Sequence, residues 1–342
     1  MGWELGPFTR RGTVLRPSSE LWWASKDLFN PGAVLHDGRV HLLVRGEDRT
    51  ERFAGVSRLG LATSSDGLAF EVEAEPVLGP ADDEWAPWEE GGGCEDPRLV
   101  EHPDGGYVCL YTGFNGRIPT LMVATSDDVR TWAKHGPAFA GTRYADRASK
   151  SGAVVTEVRD GRVVASRVDG TFWMYWGEGT CFAATSEDLV RWTPVEHDAT
   201  ATHHLEWTDD GWAVHHERGQ DVLRPLLLPR TGRYDARLVE PGPPAVCTAD
   251  GIVLLCNGAD AGRTYRAGQV LFDPMDPRAP IARAIEPFLT PESDDERTGQ
   301  VDQVCFAEGL VLLDATWYLY YGMADSRIGC ATAPAVSDGP RT

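Results

Sequence analysis

Five short apolar runs that each end in glycine, a second motif recurring behind three of them, and the lack of any long amphipathic helical stretch predict an all-β chain, a five-bladed β-propeller. The runs are VHLLVRGE (Val40 to Glu47), YVCLYTGFN (Tyr107 to Asn115), FWMYWGE (Phe172 to Glu178), IVLLCNGAD (Ile252 to Asp260) and WYLYYGMAD (Trp317 to Asp325). Their glycines, Gly46, Gly113, Gly177, Gly258 and Gly322, stand 67, 64, 81 and 64 residues apart. Asp-Gly pairs beginning at Asp37, Asp104, Asp169 and Asp250 precede four of the runs. Short runs rich in aromatic and β-branched side chains, bounded by Gly or Asp-Gly, are strand chemistry.

The second motif is Ala-Thr-Ser-x-Asp-x-x-x-aromatic, at Ala62 to Phe70, Ala124 to Trp132 and Ala184 to Trp192. Strand, loop, strand, polar turn and aromatic therefore recur as one module. A period of about 65 residues holds four strands with loops, and radial repetition of four-stranded sheets is how propellers avoid open edges. A β-sandwich of many short strands is the alternative, and the matched intervals disfavour it. The 81-residue interval carries an insertion placed within residues 196–232, where THHLEWTDDGWAVHHERGQ reads as an extra hairpin turning at Asp209-Asp210-Gly211. The whole chain, 1–342, reads as one domain.

Composition narrows the partners. Lys and Arg number 32 against 52 Asp and Glu, a net charge of −20 that repels nucleic acid and anionic membrane surfaces and leaves a neutral small molecule as the expected partner. The seven cysteines are scattered, with no Cys-x-x-Cys pair, and read as reduced, mostly buried thiols. The first residues, MGWELGPFTRRG, lack a basic start followed by an apolar stretch, and no run approaches 18 apolar residues, so the expected location is cytoplasmic. No metal or organic cofactor is implied. Histidines His203, His204, His215 and His216 flank the expected hairpin turn, but strand neighbours point to opposite faces, so surface packing is their default reading. Trp85, Trp88 and Trp176 could stack on sugar rings or fill the core.

In a propeller the strand ends near the axis deliver polar residues into a central funnel, and this chain offers Arg45, Glu47, Glu178, Asn257 and Asp325 there. The densest polar motif is GGGCEDPRLV, Gly91 to Val100. Its Asp96 is a candidate acid: neighbouring Glu95 would raise its pKa, while Arg98 opposes that. Glu-Asp-Pro-Arg can equally be a plain turn with an ion pair.

The ordered set Phe29-Asn30-Pro31-Gly32, Arg45-Gly46-Glu47-Asp48-Arg49, Gly93-Cys94-Glu95-Asp96-Pro97-Arg98, Tyr175-Trp176-Gly177-Glu178, Leu238-Val239-Glu240-Pro241-Gly242-Pro243-Pro244 and Tyr321-Gly322-Met323-Ala324-Asp325 resembles glycoside hydrolase family 130 over nearly the whole chain. The resemblance implies a five-bladed propeller acting on β-mannosides with inversion, as a phosphorylase or a hydrolase. It implies that Asp96 is the acid, its proton passing through a sugar hydroxyl, and that Asn30, Arg45 and Asp325 hold the mannosyl unit in the −1 subsite. Asp48, Arg49, Arg98 and Lys150 join them as substrate-binding candidates.

Phosphate needs cations to hold it, whereas water needs a carboxylate base on the face opposite the leaving group. The phosphorylase branch presents a Tyr-His-Gly strand end where this chain reads Leu255-Cys256-Asn257-Gly258. Glu178 and Glu240 match the paired glutamates of the β-1,2-mannosidase branch. Inverting hydrolysis of β-mannosides, with β-1,2-linked manno-oligosaccharides as substrates, is the leading expectation. Arg143, Arg147 and Lys150 keep a phosphorylase releasing mannose 1-phosphate open, and Glu217 competes for one glutamate role. A furanosidase-type propeller, which would want an Asp where Asn30 stands, and a non-catalytic sugar-binding propeller are the other readings, and homo-oligomerisation stays open. Acid and base carboxyls of an inverting enzyme are expected roughly 6.5 to 9.5 Å apart, or more with a hydroxyl relay.

Overall fold

The computed structural model describes residues 2–49, 55–196, 204–208, 211–215 and 223–335, with the backbone alone for 204–208 and 211–215. It is all-β, and helix among the described residues is confined to single turns such as Ala86–Glu89 and Asp294–Arg297.

Strand β1 (Thr9–Leu15) comes first in the chain but pairs last. A first antiparallel group is β2 (Asp27–His36), β3 (Arg39–Glu47), β4 (Ser57–Ser64) and β5 (Glu71–Leu78). The second is β6 (Gly93–Glu101), β7 (Tyr107–Phe114), β8 (Pro119–Ser126) and β9 (Ala133–Pro137). In the third, β10 (Ala153–Arg159), β11 (Arg162–Ala165) and β12 (Arg167–Val168) lead into β13 (Thr171–Trp176), β14 (Phe182–Ser186) and β15 (Thr193–Pro194). A separate hairpin follows, β16 (His204–Thr208) with β17 (Gly211–His215). The fourth group sets β18 (Leu238–Pro241) and β19 (Ala245–Thr248) against β20 (Gly251–Ala259), then β21 (Tyr265–Phe272) and β22 (Pro280–Arg283). The fifth is β23 (Cys305–Leu313), β24 (Thr316–Met323) and β25 (Arg327–Pro334), with β1 added along β25.

The five glycine-ended runs are the second main strands of these groups, β3, β7, β13, β20 and β24. Their near-continuous apolar character follows from burial on both faces. Successive residues of β20 alternate between two cores, Val253 and Leu255 packing with the fifth group and Ile252, Leu254 and Cys256 with the third. The other core clusters are likewise shared by two groups: first with second around Leu43 and Leu99, second with third around Leu110 and Met174, fifth with first around Val311 and Leu42.

The repeated Ser-x-Asp is the turn between third and fourth strands. The hydroxyls of Ser64, Ser126 and Ser186 donate to Asp66, Asp128 and Asp188 at 2.8, 3.0 and 3.1 Å. Each Asp also accepts two backbone N–H groups further on. Those backbone donors hold the carboxyls of Asp66 and Asp128 down at about 2.

Contacts between groups are close enough to require glycine. A Cβ on Gly309 of β23 would lie 2.6 Å from the Pro31 carbonyl oxygen and 2.8 Å from the Ala33 Cβ in β2. Gly309→Ala is therefore expected to cost about 1–3 kcal/mol by overpacking. A lower denaturation midpoint at unchanged slope is the measurement, and an unchanged midpoint would refute the contact.

All seven cysteines are free, six buried and Cys247 half-buried. Glu217, His203, His216 and the side chains of His204 and His215 lie outside the described residues, as do Asp209 and Asp210 of the expected turn.

Candidate active site

In or beside the first strand of each group an irregularity falls at or next to one polar residue. In β2 the register shifts between Phe29 and Pro31, leaving Asn30 at φ 47°. In β6 it shifts between Glu95 and Arg98, with Asp96 at φ 48°. Ser151, at φ 60°, immediately precedes β10, and the Pro-Gly-Pro-Pro after Glu240 separates β18 from β19. In β23 the shift falls between Ala307 and Gly309, around Glu308. Proline cannot donate to a ladder, and a bulge re-aims the side chain it carries. The Glu-Asp-Pro-Arg segment is thus a strand bulge rather than a surface turn.

The bulges bring a charged cluster together. Asn30 Nδ2 donates to Asp96 Oδ1 at 2.9 Å, and Arg45 Nη1 donates to the same oxygen at 2.8 Å. Arg45 also reaches Glu47 and Glu95, both at 3.0 Å, and lies 4.6 Å from the centre of the Phe29 ring. Lys150 Nζ stands 3.5 Å from Asp96 Oδ2. The Ser151 hydroxyl donates to Glu240, which is buried, whereas Glu178 is exposed. The buried Asn30 Oδ1 has no hydrogen-bond partner among the described residues and lies against the backbone of Gly322, where no Cβ would fit.

Electrostatics divide these carboxyls. Burial pushes Asp96 up, but Arg45, then Lys150, with the Asn30 hydrogen bond, outweigh it and hold Asp96 well below the usual carboxylate range. Burial raises Glu95 to about 7 against Arg45, with the Asp96 charge adding. Glu240 rises to about 7 through burial, opposed by Lys150 and reinforced by Glu178. Asp325, at φ 48°, rises to about 7 by burial, with Arg45 opposing and Asp96 and Glu47 adding. Burial alone would lower Lys150, but Glu178, Glu240, Asp96 and Glu95 drive it well up, so it stays cationic. The expectation that Glu95 raises Asp96 is therefore corrected. Arg45 and Lys150 stabilise the Asp96 anion, and Glu95 takes the raised position.

Asn30, Arg45, Asp96, Lys150, Glu178, Glu240 and Asp325 are brought into one electrostatic neighbourhood, as the sequence suggested. Five other candidates are placed or engaged elsewhere, although Arg98 still acts on Asp96 and Glu240 through its charge. Asp48 pairs with Arg58 at 2.7 Å, and Arg49 is exposed on the loop after β3. Arg98 is 1% exposed and is spent on Glu308 and on the carbonyls of Asp96, Pro241 and Gly242. Asn257 exchanges two hydrogen bonds with the backbone of Ala307, at 2.9 and 2.8 Å, and is a pin between groups. Arg143 is taken by Tyr144 and Glu196. Trp176 is core, its Nε1 donating to the Ala183 carbonyl, and Trp85 and Trp88 pack on the core between the first two groups.

Ser151, Glu308 and Tyr265 escape motif reading. Tyr265 senses both Glu240 and Glu178 and, chiefly by burial, rises to about 12. A signal for the first two exists in the sequence: Asn30-Pro31, Asp96-Pro97, Ser151-Gly152, Glu240-Pro241 and Glu308-Gly309 each set a polar residue before Pro or Gly at a first strand. Among the described residues no group of three His, Cys, Asp or Glu side chains could hold a metal ion.

A curated relative from Thermoanaerobacter sp. (strain X514), a 1,2-β-oligomannan phosphorylase, is 31% identical over 93% of both chains. A solved structure is 41% identical at TM-score 0.88, covering 100% of this chain and 97% of its own; it comes from a study reporting that the family of mannoside phosphorylases contains glycoside hydrolases that target β-1,2-mannosidic linkages in Candida mannan. A glycosyl hydrolase from Bacteroides ovatus is 41% identical at TM-score 0.86, covering 96% and 94%. The family model described as β-1,4-mannooligosaccharide phosphorylase matches residues 7–337. With that match spanning both the bulged first strands and the charged cluster they deliver, the chain belongs to glycoside hydrolase family 130.

Proposed function

We propose that the chain cleaves β-mannosides with inversion, transferring the mannosyl unit to water, and that its five strand groups are the blades of one propeller. Support for the blades is that the core clusters join first to second, second to third, third to fourth, fourth to fifth and fifth to first group. A closed round of five leaves every sheet face covered. The bulged first strands then line the axis, and the site is their common mouth.

The observation that carries hydrolysis is the occupation of Lys150. Asp96 sits 3.5 Å away, and Glu178 and Glu240 are the carboxylates that most strengthen its charge. A cation so neutralised is a poor phosphate ligand, and two glutamates near enough to act on the same Lys150 repel a phosphate dianion. The same pair suits a water: Glu240, held by Ser151 and titrating at about 7, has the strength of a base poised for neutral pH.

Asp96 would protonate the leaving oxygen, through a sugar hydroxyl, once it has gained a proton. Beside Arg45 and Lys150 it is held as an anion. Glu95 and Asp325 beside it, both raised to about 7 by burial, are the groups that would supply that proton near neutral pH. Asn30, Arg45 and Asp325 would hold the mannosyl hydroxyls, as the family resemblance implies.

Phosphorolysis is the second reading, and the names of the curated relatives at 31% and 29% identity, both phosphorylases, favour it more directly than hydrolysis. β-1,2-Linked substrates are common to both readings. Incubation with β-1,2-mannobiose with and without inorganic phosphate separates them. Free mannose at the same rate in both is expected; strict dependence on phosphate with mannose 1-phosphate as product would sink the hydrolase reading.

A further inference from the structure

Glu308 has no part in the chemistry above, yet it is the fifth group's counterpart of Asn30, Asp96, Ser151 and Glu240. It is fully buried at the β23 bulge, and neither carboxyl oxygen accepts a hydrogen bond among the described residues. A buried carboxyl so placed needs a reason. Its ion-pair partner among the described residues is Arg98, whose Nη1 lies 2.7 Å from Oε1.

Arg98 in turn ties two strands together. Its Nη1 donates to the backbone carbonyl of Asp96 at 3.1 Å, its Nη2 to Pro241 at 3.0 Å and its Nε to Gly242 at 3.0 Å. One planar guanidinium therefore grips the backbone of the candidate acid and the two residues that follow the candidate base. The rigid fork sets a distance that a flexible ammonium could not. Asn257 fixes Ala307, next to Glu308, from the fourth group.

We propose that Glu308 is a positioning residue: by backing Arg98 it fixes the separation of the Asp96 and Glu240 backbones, and so the span between acid and water-activating base. This rests on the reading of Asp96 and Glu240 given above. With Glu308 shortened, Arg98 has room to withdraw and the two strands can drift. A shift of about an ångström between reacting groups is enough to cost on the order of a hundredfold in rate while leaving sugar contacts intact.

The test compares Glu308→Ala, Glu308→Gln and Glu308→Asp on β-1,2-mannobiose, normalised to folded protein, with a crystal structure of each. Expected are a kcat roughly tenfold to a hundredfold lower for Ala at a KM within about twofold, and recovery to within about threefold in Gln, which keeps an oxygen at the same reach. Arg98 should have left at least one of the Pro241 and Gly242 carbonyls in the Ala structure. A purely structural role would lower the melting temperature and the folded fraction but leave kcat per folded molecule unchanged, and that result overturns the proposal. So does a Gln variant as impaired as Ala. If the Ala variant does not fold, Asp carries the test: it draws the carboxyl back by one methylene, and a wild-type kcat there overturns it. Should the wild-type protein be inert on mannobiose with and without phosphate, the functional reading fails by itself. The structures still decide the positioning claim, which falls if Arg98 stays in place without Glu308.

Discussion

Asp96→Asn is expected to lower turnover of β-1,2-mannobiose roughly 10²–10⁴-fold, the usual range for loss of a positioned acid, while mannose-unit binding persists. The amide keeps the shape that receives the Asn30 and Arg45 hydrogen bonds, so both side chains stay placed for the mannosyl contacts proposed above. Losing the counter-charge of a buried cation is ordinarily severe, about 3–5 kcal/mol. Here it is cushioned. Arg45 retains Glu47 and Glu95, and Glu95 is raised in part by the Asp96 charge, so removing that charge lets Glu95 ionise and take over. The variant should therefore stay folded near the wild-type melting temperature and bind mannobiose by calorimetry. Turnover at the wild-type rate would remove Asp96 from the mechanism.

The second large effect is at the opposite face. Glu240→Gln should cut mannose release by roughly 10²–10⁴-fold, and Glu178→Gln by less. Glu240 is buried and poised at about 7, whereas Glu178 is exposed and acts on it through charge. The pH profile distinguishes the roles. A base works when deprotonated, so kcat/KM of the wild type should rise through an acid limb near pH 7, a value belonging to the coupled cluster. Glu178 adds a negative charge that raises Glu240. Its removal lowers that pKa, and the acid limb of Glu178→Gln should move to lower pH. A shift to higher pH, or a larger rate loss in Glu178→Gln than in Glu240→Gln, would exchange the two assignments.

Much of this protein is legible in its sequence because repetition records a local requirement five times. Each glycine-ended run must be apolar on both faces to lie between two neighbours, and β3, β7, β13, β20 and β24 are those strands. Each Ser-x-Asp must satisfy its own turn amides, so Ser64, Ser126 and Ser186 recur with their aspartates. Such demands act over a few residues and leave a pattern.

The fate of individual charges is not local. Asp48 and Asp96 are both aspartates in family-like motifs, yet one meets Arg58 and the other Arg45 and Lys150. Arg98 stands beside Asp96 in the chain but points away from its carboxylate, because the β6 bulge turns successive side chains to different sides. Asn257, at the end of a repeat run, faces a neighbouring backbone.

By itself the sequence determined the all-β class, the repeat and the family, and it named Asn30, Arg45, Asp96, Lys150, Glu178, Glu240 and Asp325. Only the tertiary structure decided that Asp96 is the ionised member, that Glu95, Glu240 and Asp325 are the raised ones, and that Arg98 and Glu308 lie beneath them. The reason is physical: strand pattern depends on neighbours along the chain, whereas a buried charge is set by which groups, often a hundred residues away, share its low-dielectric space.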